Sequence, residues 1–110
     1  MEQLQKEERG ESSKELKEQV MRARAIQEKR YRNSSYFFNA DLETKDIGKY
    51  CFLGIEEQKF MEQVFHSLNL SARAYHRTLK VARTIADLDE SPEIKKEHLA
   101  EAVCYRGFEL

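Results

Sequence analysis

One short segment of the chain carries the side chains best suited to chemistry. Residues 71–86 contain four basic residues and no acidic one: Arg73, Arg77, Lys80 and Arg83. Arg73 falls in the first turn of a predicted helix that Ser71 caps, where the helix dipole already places partial positive charge. A cation is favourable there when an anion is bound, and an arginine can hold two phosphate oxygens. The pattern indicates an anion site. The alternative is that Arg73 pairs with a carboxylate of the helix predicted near residues 56–62.

The other three basic residues follow Arg73 along the same face. On a helical wheel, the apolar side chains of residues 71–88 fill an arc of about 200°, and the basic ones share the remaining arc. So broad an apolar face is typical of a central helix, so the basic strip should line its free side. Arg77 lies one turn beyond Arg73 and is a second candidate for phosphate. Lys80 and Arg83 are candidates for an interface or for ordinary solvated surface.

The motifs of a self-sufficient enzyme are missing from these 110 residues. A phosphate-binding P-loop needs glycine, four residues, then Gly-Lys-Ser/Thr, whereas Gly48-Lys49 is followed by Tyr50 and preceded by Glu43 at the glycine position. No catalytic triad or pair of facing carboxylates is recognisable. The three histidines fall in separate segments, so we predict no metal site. Cys51 and Cys104 lack a CxxC partner, and we expect two buried, reduced thiols.

Length and composition indicate one helical domain. The chain has 110 residues, 40% of them hydrophobic and 35% charged, with one proline and four glycines, too few turn residues for a β-sandwich. Its net charge of −1 argues against a protein that coats DNA. No apolar run approaches the roughly 18–20 residues that span a bilayer, and the start lacks the apolar segment of a signal peptide. These features predict a cytoplasmic protein that does not enter membranes.

The elements that must position the basic strip are all helices. Residues 1–11 are predicted to be a flexible lead-in, and residues 12–108 the folded domain. Ser12 and Glu15 have the spacing of a capping box, which predicts the start of a first helix that reaches Tyr31. The loop 33–43 should be pinned by Phe37 and Phe38. Further helices are predicted at 45–51 (short), 56–68, 71–88 and 96–105, which gives an all-α bundle of four main helices and one short extra helix.

At this level of detail the chain resembles a known family. Residues 71–77 (SARAYHR) and 79–88 (LKVARTIADL) closely resemble the C-terminal domain of magnesium-chelatase-related AAA+ proteins, the ComM-like competence ATPases. The ending 98–103 (HLAEAV) and the segment that begins at Gly10 are similar to the same domain. The resemblance extends from Gly10 to Arg106 and is most specific in residues 71–88.

The resemblance implies a function for the basic strip. In that family the domain is a helical lid that follows an ATP-binding core, and the arginine that opens its third helix is the sensor-2 residue. By the resemblance, Arg73 contacts the terminal phosphates of ATP and couples hydrolysis to motion of a ring on DNA during recombination in natural transformation. ATP and Mg²⁺ would belong to the full-length parent, and the fragment alone would bind neither and have no activity. The implied partners are the upstream core, neighbouring subunits of a hexameric ring, and DNA.

A second hypothesis comes from a different class of protein. The same basic strip would suit a stand-alone helical adaptor that docks an acidic protein or the DNA backbone. The five basic residues between positions 22 and 32 are a further candidate for contact with DNA or an adjacent subunit, although a charged helix face is more often simply solvated.

Overall fold

The structure, a computed structural model, describes residues 2–107 and the side chains of residues 13–105. Five α-helices and one short 3-10 turn (Asn39–Asp41) form the domain, and residues 2–107 contain no β-strand. The helices are α1 (Glu2–Arg30), α2 (Thr44–Tyr50), α3 (Ile55–Ser67), α4 (Ala72–Leu88) and α5 (Lys96–Gly107). The predicted all-α bundle with one short extra helix is confirmed.

Helix α4 is the central element, as its broad apolar arc predicts. It packs against α5, α1, α2 and the 3-10 turn, while α3 packs on α5. Its inner face carries Ala74, Thr78, Ala82 and Ala86, and such small side chains let α5 approach closely. The core around them is built by larger residues from the other elements: Tyr31, Leu42, Ile47, Met61, Ile94 and Leu99.

The ends of α4 and α3 follow local rules that the sequence made visible. The Ser71 hydroxyl accepts the backbone N–H of Ala74 at 3.2 Å, so the predicted cap is confirmed. Asn69 adopts the left-handed conformation (φ 52°) after α3, and the Leu70 N–H closes the helix on the carbonyl of Phe65 at 3.0 Å.

Loss of the Ser71 cap should weaken the domain measurably. We expect Ser71→Ala to lower the free energy of unfolding by about 1 kcal/mol, because one N–H of the first turn of α4 loses its acceptor. Urea denaturation followed by circular dichroism measures the change. Ser35→Ala, at an exposed loop position, is the matched control and should leave the midpoint unchanged. Equal midpoints for the two variants would contradict the prediction.

Two predictions about the N-terminal third are wrong. The first helix begins at Glu2, so Ser12 lies inside α1 and the proposed capping box does not start it. Phe37 and Phe38 do not anchor the loop 33–43, because their side chains are 73% and 46% exposed. The loop is instead held by buried Asn39 and Leu42.

Helix α1 uses only part of its narrow apolar stripe. Ala23, Gln27 and Tyr31 are buried against the domain, whereas Leu16 and Val20 nearer the N-terminus are exposed. The side-chain amide of Gln19 donates to the carbonyl of Leu88 at 2.9 Å and fixes α1 against the end of α4. Helix α1 is therefore docked on the domain through its second half.

The two cysteines differ in environment, which corrects the prediction that both are buried. Cys51 is buried and Cys104 is exposed, and both are free thiols. Burial raises the pKa of the Cys51 thiol to about 11. Since the thiolate is the reactive form, Cys51 is protected both sterically and by its protonation.

Thiol reactivity should separate the two residues. In the native protein at pH 8 we expect one fast reaction with a chromogenic disulfide reagent, from Cys104, and reaction of Cys51 only after denaturation. Cys104→Ser should abolish the fast phase, and two fast phases would contradict the prediction.

Because the folded Cys51 thiol keeps its proton above the ordinary pKa of 9.0, the thiol of the unfolded chain ionises first. Cys51 therefore makes the free energy of unfolding fall as the pH rises from 9 to about 11.

Candidate functional site

The outer face of α4 forms one wall of an open cleft of about 1210 Å³, here called the α4 cleft. Its basic end carries Arg73, His76, Arg77 and Lys80. Its other end is apolar and is formed by Val81, Ile85, Leu88 and Tyr105. Ala40, Thr44 and Ile47, from the 3-10 turn and α2, close the opposite side. Among the lining side chains that the structure describes there is no carboxylate, so the cleft presents basic side chains beside an apolar surface.

Arg73 lies at the mouth of the α4 cleft. Its side chain is exposed in the first turn of α4, directly after the Ser71 cap. Among the described side chains, no carboxylate lies within ion-pair distance of it, so the alternative that it pairs with an acid of α3 is not realised. In α3, Glu56 pairs with Lys96 instead, at 3.1 Å. The guanidinium is therefore available to an external anion.

Arg77 and Lys80 extend the basic end by two turns. Both line the cleft together with Arg73, as the wheel predicts. The ammonium group of Lys80 donates to the carbonyl of Ala40 at 3.2 Å and links α4 to the 3-10 turn across the cleft. Lys80 therefore has a structural partner as well as a position beside the open space.

Arg83 does not belong to this basic strip, which corrects the prediction of an interface or solvated role. Its side chain is buried, with only 4% of the residue exposed. The guanidinium donates to Asp87 at 3.2 Å and to the carbonyls of Ser91 and Pro92 at 2.7 and 3.2 Å. The wheel failed here because the turn after α4 folds back over this side of the helix and covers it.

Asp87 is the centre of a buried polar cluster that the sequence analysis did not identify. Its carboxylate is fully buried and lies between two arginines, Arg30 of α1 and Arg83 of α4. Arg30 binds it in a bidentate manner, at 2.6 and 2.8 Å. These hydrogen bonds raise the pKa of the Arg30 guanidinium, so Arg30 keeps its charge. Arg83 and Asp87 are four residues apart on one helix, and this spacing was the sequence signal for their ion pair. It was missed because the helical wheel assigned this side of α4 to solvent.

Asn39 completes the cluster. Its amide nitrogen donates to Asp87 at 2.9 Å and to the hydroxyl of Thr84 at 3.0 Å, and its amide oxygen accepts from Arg30 and Tyr31. Its backbone N–H donates to the side chain of Gln27 at 3.0 Å. Thr84 also lines the α4 cleft. The cluster therefore joins the α4 wall of this cleft to the interior of the domain.

The basic residues of positions 22–32 do not act as one surface. Arg22 pairs with Glu90 at 3.3 Å, and Arg30 belongs to the Asp87 cluster. Arg24, Lys29 and Arg32 are exposed. In the part of the chain that the structure describes, no group of three His, Cys, Asp or Glu residues could hold a metal ion, and no helix has the length and apolarity needed to cross a bilayer.

Comparisons with known proteins place this architecture. Residues 10–106 match the family model described as "Magnesium chelatase, subunit ChlI C-terminal". The chain is 44% identical over 99 residues to "Competence protein ComM" of Haemophilus influenzae, a match that covers 90% of this chain and 19% of that protein. It is 45% identical over 100 residues to "Uncharacterized protein YifB" of Escherichia coli and 43% identical over 101 residues to the protein of the same name from Salmonella typhimurium, covering 91% and 92% of this chain.

The chain spans only 19% of the length of these curated relatives. The match nevertheless includes α2, α3 and α4, most of α1 and α5, the α4 cleft and the Asp87 cluster, since it runs from residue 10 to residue 106. The predicted resemblance is thereby confirmed: this chain belongs to the magnesium chelatase subunit ChlI C-terminal domain family and is similar to the corresponding part of ComM and YifB.

Proposed function

We propose that this domain is the nucleotide-sensing helical lid of a magnesium-chelatase-like AAA+ ATPase. The observation that carries the proposal is the state of Arg73: an exposed guanidinium in the first turn of α4, at the mouth of a cleft lined by further cations and by no described carboxylate. An anion bound there would meet both the guanidinium and the partial positive charge of the helix start. The terminal phosphates of ATP, held with Mg²⁺ on a core outside these 110 residues, are the anion that we propose.

The residues present suit phosphate but not a complete nucleotide site. Arg73 offers a planar fork of N–H donors that can bind phosphate oxygens in pairs, and it stays charged at any cellular pH. Arg77 is the second candidate, one turn further along the cleft. The chain supplies no P-loop, so ATP and Mg²⁺ would be held mainly by the core, and the lid would add contacts that depend on the γ-phosphate.

This arrangement explains how a lid would couple hydrolysis to movement. While ATP is bound, Arg73 has a γ-phosphate to contact and the lid is held against the core. After hydrolysis that contact is lost, and the lid can rotate. In a ring of such subunits, which we propose to be hexameric and cytoplasmic, the rotation would be passed to neighbouring subunits and to DNA. The word "competence" in the name of the Haemophilus relative agrees with a role in DNA uptake and recombination.

ATP hydrolysis by the longer protein that carries this domain tests the proposal directly. The decisive comparison is between Arg73→Ala and Arg32→Ala, because Arg32 is an exposed arginine after α1 that does not line the α4 cleft. Loss of turnover in the first variant only supports the lid function. Equal turnover in both would overturn it.

The second candidate function is a helical adaptor that binds the DNA backbone or an acidic protein through the basic end of the α4 cleft. The clustering of Arg73, Arg77 and Lys80 in one cleft is the observation that favours it. The burial of Arg83 weakens it, since the predicted strip loses one of its four cations.

Binding to DNA separates the two functions. If the domain is a lid, we expect the 110-residue chain to show little affinity for single- or double-stranded DNA even at low salt, because its phosphate contacts need the core. A phosphate-backbone adaptor would bind at low salt and lose affinity steeply as salt rises. Fluorescence anisotropy with labelled oligonucleotides measures this. Low-micromolar binding that Arg73→Ala and Lys80→Ala weaken would count against the lid.

A further inference from the structure

A second cleft lies at the C-terminal end of α4, between α1, α4 and α5, and adjoins the apolar end of the α4 cleft. We call it the acidic cleft. It has a volume of about 550 Å³ and an apolar floor of Ile85, Leu88 and Tyr105. Its rim carries three carboxylates: Asp89, Glu97 and Glu101. None of its described lining residues is a lysine or arginine, so it offers an apolar seat surrounded by negative charge.

The carboxylates of the rim are incompletely compensated within the chain. Asp89 is bonded to the imidazole of His98 at 3.1 Å. Glu97 and Glu101 are exposed, stand one turn apart on α5, and form no ion pair among the described side chains. Like charges four residues apart on a helix repel each other. A cation seated between them would relieve that repulsion.

A surface of complementary character lies on α1. Lys14, Lys17, Met21 and Arg24 follow one another at intervals of three, four and three residues, so they form one row along the helix, here called the α1 ridge. All four are exposed, Met21 by 65%. None of the three cations forms an ion pair among the described side chains. The ridge therefore presents one apolar side chain flanked by positive charge, with Glu18 beside it and the exposed Glu28 one turn beyond Arg24.

The α1 ridge cannot fill the acidic cleft of its own chain. The side of α1 that faces the domain carries Ala23 and Gln27, both buried, and the ridge lies on the other side of the helix. A convex basic surface and a concave acidic one thus point in different directions from the same molecule. Two different patches that complement each other give a head-to-tail contact, which closes into a ring or continues as a filament.

We infer that the acidic cleft receives the α1 ridge of a second copy of this chain, with Met21 above the apolar floor and the lysines and Arg24 against the acidic rim. The contact uses no residue of the basic end of the α4 cleft, so it is independent of the role proposed for Arg73. Charge complementarity sets its register, because the ridge places positive charge on both sides of its apolar centre. Screening makes the contact weaker at high salt.

Site-specific cross-linking tests this contact with the chain as it is. Cys104 is exposed on α5, three residues after Glu101, and the other native cysteine is buried. Ala25→Cys places a second thiol on exposed surface beside the α1 ridge without removing a ridge residue. Treatment with a short bis-maleimide at low salt should join residue 25 of one copy to residue 104 of another, and digestion with mass spectrometry identifies the joined peptides.

The expected result is a ladder of cross-linked oligomers for Ala25→Cys. Ser35→Cys, on an exposed loop away from α1, is the matched control and should give at least about tenfold less product with Cys104, since steering between complementary charges has this order of effect. Adding Lys14→Glu and Lys17→Glu should reduce the Ala25→Cys yield to the control level. Adding Glu97→Lys and Glu101→Lys as well should restore it.

Two outcomes would overturn the inference. One is an equal yield from the Ala25→Cys and Ser35→Cys chains. The other is a yield that charge reversal of the ridge leaves unchanged or that reversal of the cleft does not restore. All substituted positions are exposed, and circular dichroism of each variant verifies that a lower yield does not come from unfolding.

Discussion

Replacing Arg73 by alanine should lower ATP hydrolysis by the longer protein about 100-fold, an effect typical of removing one donor that stabilises charge in a transition state. The reason is that Arg73 is the exposed cation at the mouth of the α4 cleft and has no carboxylate partner among the described side chains. Its charge is therefore available to the transferring phosphoryl group. The fall should appear mainly in kcat, because the core would still bind the nucleotide.

The measurement needs variants that separate chemistry from folding. Arg73→Lys keeps the charge but loses the planar fork, so it should recover only part of the turnover. Arg32→Ala removes an exposed arginine elsewhere and should leave kcat unchanged. Steady-state hydrolysis against ATP concentration gives kcat and KM for each, and circular dichroism verifies the helices. A kcat for Arg73→Ala equal to that for Arg32→Ala would contradict the prediction and favour the adaptor.

The largest effect on stability is expected at Asp87. Asp87→Ala should lower the free energy of unfolding by about 3–5 kcal/mol, the cost of breaking a buried ion pair from one side. The buried carboxylate holds Arg30 and Arg83, and its loss leaves the Arg83 guanidinium inside the domain with only the carbonyls of Ser91 and Pro92 as acceptors. The substitution also removes an acceptor of Asn39.

Urea denaturation at neutral pH measures this loss. The control is a substitution of an exposed carboxylate. Glu28→Gln, at an exposed position of α1, should shift the midpoint little. Replacing Asp87 and Arg83 together by leucine and methionine should be less harmful than Asp87→Ala, because no unpaired charge would stay buried at position 83. If Asp87→Ala and Glu28→Gln have the same midpoint, the cluster contributes nothing to stability.

The sequence determined the helices and the basic end of the α4 cleft because both depend on local rules. The period of apolar residues located α3, α4 and α5, and Ser71 marked the start of α4 through its capping preference. Arg73 drew attention because a cation in a first helical turn is unfavourable to the helix dipole, and the structure has its side chain exposed in the first turn of α4. Each of these features can be read from a few neighbouring residues.

The parts that escaped prediction depend on residues far apart in the chain. Asp87 is buried because Arg30, 57 positions earlier, reaches it from α1. Arg83 is buried because the turn at Ser91 and Pro92 folds over it. Phe37 and Phe38 are exposed because Asn39 makes the anchoring contacts instead, and an asparagine gives no hydrophobic signal. A helical wheel treats each helix alone and misses such tertiary contacts.

The attachment of α1 to α4 means that a small rotation of α4 moves the far end of α1 over a larger distance. Asp87, Arg30 and Asn39 tie the C-terminal end of α1 to α4, and Gln19 adds a second attachment at the carbonyl of Leu88. Helix α1 has 29 residues, so its far end lies about 42 Å from the joint. A rotation of α4 by about 10° would sweep that end through about 7 Å. The domain is thus built as a lever whose short arm is α4 and whose long arm is α1.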